Sequence, residues 1–197
     1  MTLIQYCLIA ISAYLIGSFS SGIFISSFKG KDIRKEGSKS SGATNVTRVL
    51  GLSFGLITFL GDFVKAGLAI WIGSLISGTF GAMTAAVFAI IGHNWPVYYH
   101  FKGGKGIVCS IAALLLICPL EAGIASALTV LIIWKTKYVS LGSLAFLAFS
   151  TLLLAITRGL YPYGWWAFIL LVLGLFQHRA NIKRLLNGTE NKLKLKR

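Results

Sequence analysis

Acidic side chains are scarce. Asp32, Glu36, Asp62, Glu121 and Glu190 are the whole complement, against nineteen Lys and Arg, and the formal net charge is +14. Such a chain offers few candidate general bases. Charged residues of all kinds make up 12% of the chain and hydrophobic residues 56%. That is about half the usual charge content, and it excludes an ordinary soluble domain. Strict alternation of apolar and polar residues is missing, which excludes a transmembrane barrel. Cysteine is limited to Cys7, Cys109 and Cys118. They are odd in number, lie in apolar segments and show no metal spacing, so they read as small buried apolar residues. Neither an internal repeat nor a low-complexity stretch is visible, and no cleavable leader is convincing.

What is present is a series of long apolar runs. A bilayer crossing needs about 20 residues in a helix. Leu3–Phe28 is expected to be a retained first span. Val49–Leu60 is short and reads as a re-entrant or interfacial helix. Ala66–Ser77, Thr79–Phe101, Ile107–Cys118, Ala122–Trp134, Ser140–Thr157 and Tyr163–Gln177 follow. The expected fold is an all-α polytopic bundle of about seven transmembrane helices, some of them short. With the loop Lys29–Arg48 inside, every Lys and Arg except Arg158 also falls inside. The positive-inside rule then puts the N-terminus outside and the C-terminus inside. In a soluble protein this charge would suggest nucleic acid. Here it reads as topology together with attraction for anionic lipids and substrates, and no nucleic-acid partner is expected.

This topology gathers the polar clusters on one side: Ser38–Arg48, Asp62–Lys65, Lys102–Gly106, Lys137–Ser143 and His178–Glu190. Between two apolar runs lies Phe101-Lys102-Gly103-Gly104-Lys105-Gly106. Its glycines let backbone N–H groups approach an anion, and its lysines add charge. It is not a P-loop, because Gly106 stands where Ser or Thr belongs. In the first cluster, Thr44 or Asn45 can cap a helix starting there, and Arg48 suits a phosphate. Asp62 and Lys65 share a helical face, as an interior ion pair or as functional groups. His93 and His100 read as interfacial or packing histidines. His178 and Asn181 share a face at the end of the last span, where a histidine can bind an anion or move a proton. None of the histidines is followed by aspartate at the fifth position, which excludes the H-x-x-x-x-D acyltransferase motif. A Cys/His metal cluster is also missing, so no metal and no cofactor are expected.

Three motifs occur in order: Ser-Gly-Ala-Thr-Asn-Val-x-Arg at 41–48, Gly-His-Asn-Trp-Pro-Val at 92–97 leading into the glycine-rich loop, and His-Arg-x-Asn-Ile-x-Arg-Leu-x-x-Gly-x-Glu at 178–190. Lys-Tyr-Val-Ser-Leu at 137–141 lies between the last two. Over nearly its whole length the chain resembles the PlsY family of bacterial acyl-phosphate:glycerol-3-phosphate acyltransferases. The resemblance implies one integral-membrane domain over 1–197, in the bacterial cytoplasmic membrane, with a cytoplasmic active site. The implied reaction moves an acyl group from acyl-phosphate to the 1-hydroxyl of sn-glycerol 3-phosphate. Lysophosphatidic acid and inorganic phosphate result, with no obligate protein partner. The implied catalytic set is Ser38, Arg48, Lys105, His178 and Asn181. Gly42, Thr44, Asn45, Lys65, Lys102, Gly103, Gly104, Gly106, Ser140 and Ser143 would bind substrate, and Asp62 and Glu190 would be structural. Lys39 stands where the family usually has glycine, and Ala66 replaces the glycine that usually follows Asp-x-x-Lys. A carrier or channel for a phosphate-bearing solute is the alternative, though repeated halves and a midplane site are not visible. A noncatalytic membrane subunit would leave the three motifs unexplained.

Overall fold

The computed structural model describes residues 2–193, so the basic side chains Lys194, Lys196 and Arg197, assigned above to the inside, lie outside the described residues. All regular structure among the described residues is helical: α1 (Leu3–Ser18), α2 (Ser21–Ser27), α3 (Ala43–Leu50), α4 (Leu52–Asn94), α5 (Ile107–Ile117), α6 (Pro119–Thr136), α7 (Val139–Thr157), α8 (Trp165–Gln177) and α9 (Arg179–Leu186), with short turns at Val97–Tyr99 and Leu160–Gly164. The chain divides within α5 into two compact units, residues 2–113 and 114–193.

Among the described residues, five helical stretches are long and apolar enough to cross a membrane. One of them contains α4. Its 43 residues would reach about 65 Å if straight, roughly twice a bilayer core. Ser77 and Gly78 leave helical geometry, with Gly78 at φ +54°, and split it into two halves. The halves fold back closely, since a Cβ on Gly73 would lie 2.4 Å from the Gly81 carbonyl oxygen. The eleven-residue α5 is apolar but shorter than a span.

Local chemistry accounts for the boundaries. Thr2 and Gln5 form a reciprocal capping box on α1. The run 3–28 is broken at Phe19–Ser20, where the Ser20 hydroxyl accepts from the Ile23 N–H and starts α2. Pro119 opens α6 three residues before the expected start, because a first-turn residue needs no N–H partner.

One expectation is overturned. Val49–Leu60 is not a separate re-entrant or interfacial helix. Helix continues from Leu52 through Asp62 and Lys65. The two charges lie 2.9 Å apart and cancel each other, so the helix carries them inside without unwinding.

In the first unit, α1 packs along α4. Ile9, Ala13, Ala69, Ala85 and Ala89 form the core, with Ile16 and Phe88 against it. Small residues let the backbones approach, as in membrane helix packing generally. In the second unit, Phe146, Leu147 and Leu154 of α7 and Trp166, Ala167 and Leu170 of α8 are buried. Glu121 of α6 accepts from the Thr157 hydroxyl (2.9 Å) and Arg158 Nε (2.8 Å) at the far end of α7.

A Cβ added at Gly17 would lie 2.2 Å from the Ala89 carbonyl oxygen, whereas one at Gly123 meets nothing. Gly17→Leu should therefore destabilise the detergent-solubilised protein by about 1–3 kcal/mol. Gly123→Ala should be neutral or slightly stabilising. Thermal melts of the two variants measure the difference.

Candidate functional site

The motif residues form two polar groups, one in each unit. The first is built on a buried asparagine. The side chain of Asn45 is 2% exposed. Its Nδ2 donates to the carbonyls of Ile33 (3.1 Å), Glu36 (3.0 Å) and Ser40 (2.9 Å), and its Oδ1 accepts from the Ser38 N–H (2.7 Å). One carboxamide therefore shapes the whole Ile33–Ser40 turn. Asn45 is not a helix cap: Gly42 occupies the cap of α3 and makes no side-chain cap bond. Thr44 is exposed on the first turn of α3, and Arg48 is exposed on its last. Ser38 is half-buried. Lys39, at φ +58°, adopts the left-handed conformation that a glycine there would favour, so the loop keeps a glycine-like path despite the substitution.

The glycine-rich loop lies beside this turn. Ser41 N–H donates to the Gly103 carbonyl at 3.5 Å, and Arg34 Nη1 to the Tyr99 carbonyl at 3.3 Å. Arg34 is also paired with Asp32, whose carboxyl is held below its ordinary value by the hydrogen bond from Arg34 against a smaller opposing effect of burial. Lys102 is exposed, Lys105 half-buried, and Gly104 and Gly106 are buried. Gly106 adopts φ +77° and begins the approach to α5.

Beneath the loop sits His93, 3% exposed. Its carbonyl accepts from the Gly104 N–H (3.0 Å), and a Cβ on Gly104 would lie 2.0 Å from its ring Nε2. The other side of the ring meets Lys65 and Asp62: Nδ1 is 2.9 Å from Lys65 Nζ and 3.6 Å from Asp62 Oδ1. Lys65 also donates to the Phe19 carbonyl. His93, expected as an interfacial or packing histidine, thus belongs to a polar grouping that its 28-residue separation from Lys65 hides in the sequence. Asn94 was missed as well. Its buried carboxamide has no hydrogen bond among the described residues and lies against Gly106.

The second group centres on Glu190. Its carboxylate accepts from Ser140 Oγ (3.1 Å), Asn181 Nδ2 (2.8 Å) and Arg184 Nε (2.8 Å). Burial pushes its pKa up, but the hydrogen bonds from Asn181 and Arg184 outweigh that and lower it overall. His178 is buried at the junction of α8 and α9. A carbonyl only accepts, so the 2.8 Å contact with Gly174 O puts the ring proton on Nδ1 and leaves the Nε2 lone pair in the neutral form. Ser143 differs from Ser140: its hydroxyl donates to the Val139 carbonyl in its own helix.

These features define a helical membrane protein whose polar loops carry hydroxyls, amides and exposed cations suited to anions. The glycerol-3-phosphate acyltransferase family model matches residues 7–188, and the chain belongs to that family. It is 45% identical over 187 residues to the glycerol-3-phosphate acyltransferase of Thermoanaerobacter pseudethanolicus, covering 94% of both chains. It is 42% identical over 195 residues to that of Halalkalibacterium halodurans, again covering 94% of each. The crystal structure of PlsY (YgiH), an integral membrane glycerol 3-phosphate acyltransferase, in its glycerol 3-phosphate form superposes with a TM-score of 0.91 at 32% identity, covering 96% of both chains. Its lysophosphatidic acid form gives 0.86 at 31% identity over the same shares.

Glu190→Ala should remove a buried acceptor of three donors and destabilise the protein by about 1–3 kcal/mol at neutral pH. Because folding lowers this pKa, the contribution is complete above the ordinary value of 4.5 and fades as pH falls through the lowered one. The gap in melting temperature between wild type and variant should therefore narrow in acid.

Proposed function

We propose that the protein transfers an acyl group from acyl-phosphate to the 1-hydroxyl of sn-glycerol 3-phosphate, releasing inorganic phosphate and lysophosphatidic acid. The family membership carries this reading, and the two crystal forms of the PlsY relative supply its acceptor and product. The donor is the one that the resemblance to the PlsY family implies, and the chemistry suits it. Acyl-phosphate is already activated, so positioning and charge stabilisation can suffice in a chain with few bases.

In this mechanism the acceptor hydroxyl oxygen attacks the acyl carbonyl carbon, and the bond from that carbon to the phosphate oxygen breaks. The hydroxyl proton passes to the departing phosphate, which leaves with all its own oxygens. Arg48, Lys102 and Lys105 bind phosphate oxygens, helped by backbone N–H groups of Gly103 and Gly106, whereas the Gly104 N–H is already bonded to the His93 carbonyl. Ser38 Oγ and Thr44 donate to the donor phosphate, while Asn45, expected to bind substrate, is buried and holds the turn that carries Ser38. His178 and Asn181, with Ser140 and Ser143, orient glycerol 3-phosphate. Glu190 fixes Asn181 and Ser140 and takes no proton. His178 is the rival base, since its Nε2 lone pair is chemically capable of the task.

We read residues 1–197 as one domain, consistent with a single family model over 7–188. We place it in the bacterial cytoplasmic membrane with seven crossings, the N-terminus outside and the loops of both polar groups on the cytoplasmic side. The seven are the five long stretches with α4 counted as two and α5 added.

Purified protein given palmitoyl-phosphate and glycerol 3-phosphate should release phosphate and form lysophosphatidic acid, while acyl-CoA stays inert. Arg48→Ala should lower kcat/KM at least about 100-fold. His178→Ala should raise the KM for glycerol 3-phosphate and largely keep kcat. A collapsed kcat with intact substrate binding would assign the proton to His178. No product from folded protein with either donor would move the reading to a carrier of phosphate-bearing solutes.

A further inference from the structure

We infer that Asp62, Lys65 and His93 form a buried positioning network that sets the place of the glycine-rich loop, and that Lys65 is not a substrate ligand. An ammonium has three protons. Three groups of the first unit surround that of Lys65: the Phe19 carbonyl, His93 Nδ1 at 2.9 Å and Asp62 Oδ1 at 2.9 Å. Lys65 is 7% exposed and enclosed by these three groups, so its ammonium is shielded from a phosphate. Asp62 acts through charge: its Oδ1 lies within ionic distance of Lys65 and His93, and neither carboxylate oxygen accepts a hydrogen bond of good geometry among the described residues.

The role of the network follows from what His93 touches on its other side. Lysine only donates, so Nδ1 is the acceptor and the ring proton is assigned to Nε2. That edge of the ring occupies the space a side chain would need at Gly104, and the His93 carbonyl blocks one at Gly103, where a Cβ would lie 2.1 Å away. The same carbonyl receives the Gly104 N–H. Turning or losing the ring therefore moves the segment that carries Lys102 and Lys105. A pair of charges inside an apolar helix is expensive to keep, and a simple helix contact would be served as well by apolar residues. Lys65 also fixes the α1–α2 break through Phe19, so the network joins that break, both halves of α4 and the loop. Its kinetic consequence rests on the acyltransferase reading; its structural consequence does not.

The test compares three variants of the full-length purified protein by hydrogen exchange over 101–106 and by steady-state kinetics. Lys65→Met should speed exchange of the loop about ten-fold and raise the KM for glycerol 3-phosphate by a similar factor, with a smaller fall in kcat. The double variant Asp62→Asn/Lys65→Gln discards both charges but keeps donors and acceptors; it should stay within about three-fold of wild type in both readouts. His93→Asn leaves the ion pair and removes the ring edge from Gly104, so it should reproduce the Lys65→Met effect, and it carries the test if Lys65→Met does not fold. Equal loss in Lys65→Met and the double variant would show that the charge of Lys65 itself binds substrate and would overturn the proposal. Unchanged loop exchange in His93→Asn would also overturn it. A wild type without acyl transfer would sink the functional reading alone, leaving loop exchange to decide the network.

Discussion

The interaction on which the first unit depends is the buried contact between Asp62 and Lys65, closed by His93. α4 is apolar almost throughout, and neither a lone carboxylate nor a lone ammonium would be tolerated inside it. Together they are neutral, and the helix runs on past them. Removing one partner from such a pair typically costs about 3–5 kcal/mol, because the other is left uncompensated. The contact also has geometric value. It ties the interruption after α1, the two halves of α4 and the backbone of the glycine-rich loop, at points where an apolar core alone would allow sliding.

A similar division of labour recurs elsewhere. Asn45 satisfies four backbone groups of the turn around Ser38, and Glu190 gathers Ser140, Asn181 and Arg184. In each case a buried side chain with several hydrogen-bonding positions shapes a short irregular segment that its own backbone cannot organise. Arg48 and Lys102, by contrast, remain exposed at loop or helix ends. Interior polar groups are spent on shape, whereas these two cations stay at the surface.

Much of this was legible in the sequence because membrane physics is severe. Long apolar runs could only be helices, and the basic, glycine-rich segments between them stood out against so little charge. The family resemblance added the order of the motifs. Less visible was anything requiring contact across the chain. Val49–Leu60 looked like a short separate helix because the charges of Asp62 and Lys65 bounded it, whereas their pairing keeps them within one continuous helix. His93 looked like packing because its partners lie 28 and 31 positions earlier. Asn45 looked like a cap because its composition fits one, but its carboxamide turns back toward Ile33, Glu36 and Ser40. Lys39 stands where the family usually has glycine, and its backbone adopts the left-handed conformation that glycine favours, which the sequence alone did not reveal.

The most direct measurement of the central claim follows the oxygen atoms. Glycerol 3-phosphate labelled with oxygen-18 at the 1-hydroxyl is supplied with acyl-phosphate, and both products are analysed by mass spectrometry. Acyl transfer predicts that the label stays in the ester of lysophosphatidic acid and that the released phosphate carries none. Label in the phosphate, or phosphate release without labelled ester, would contradict it.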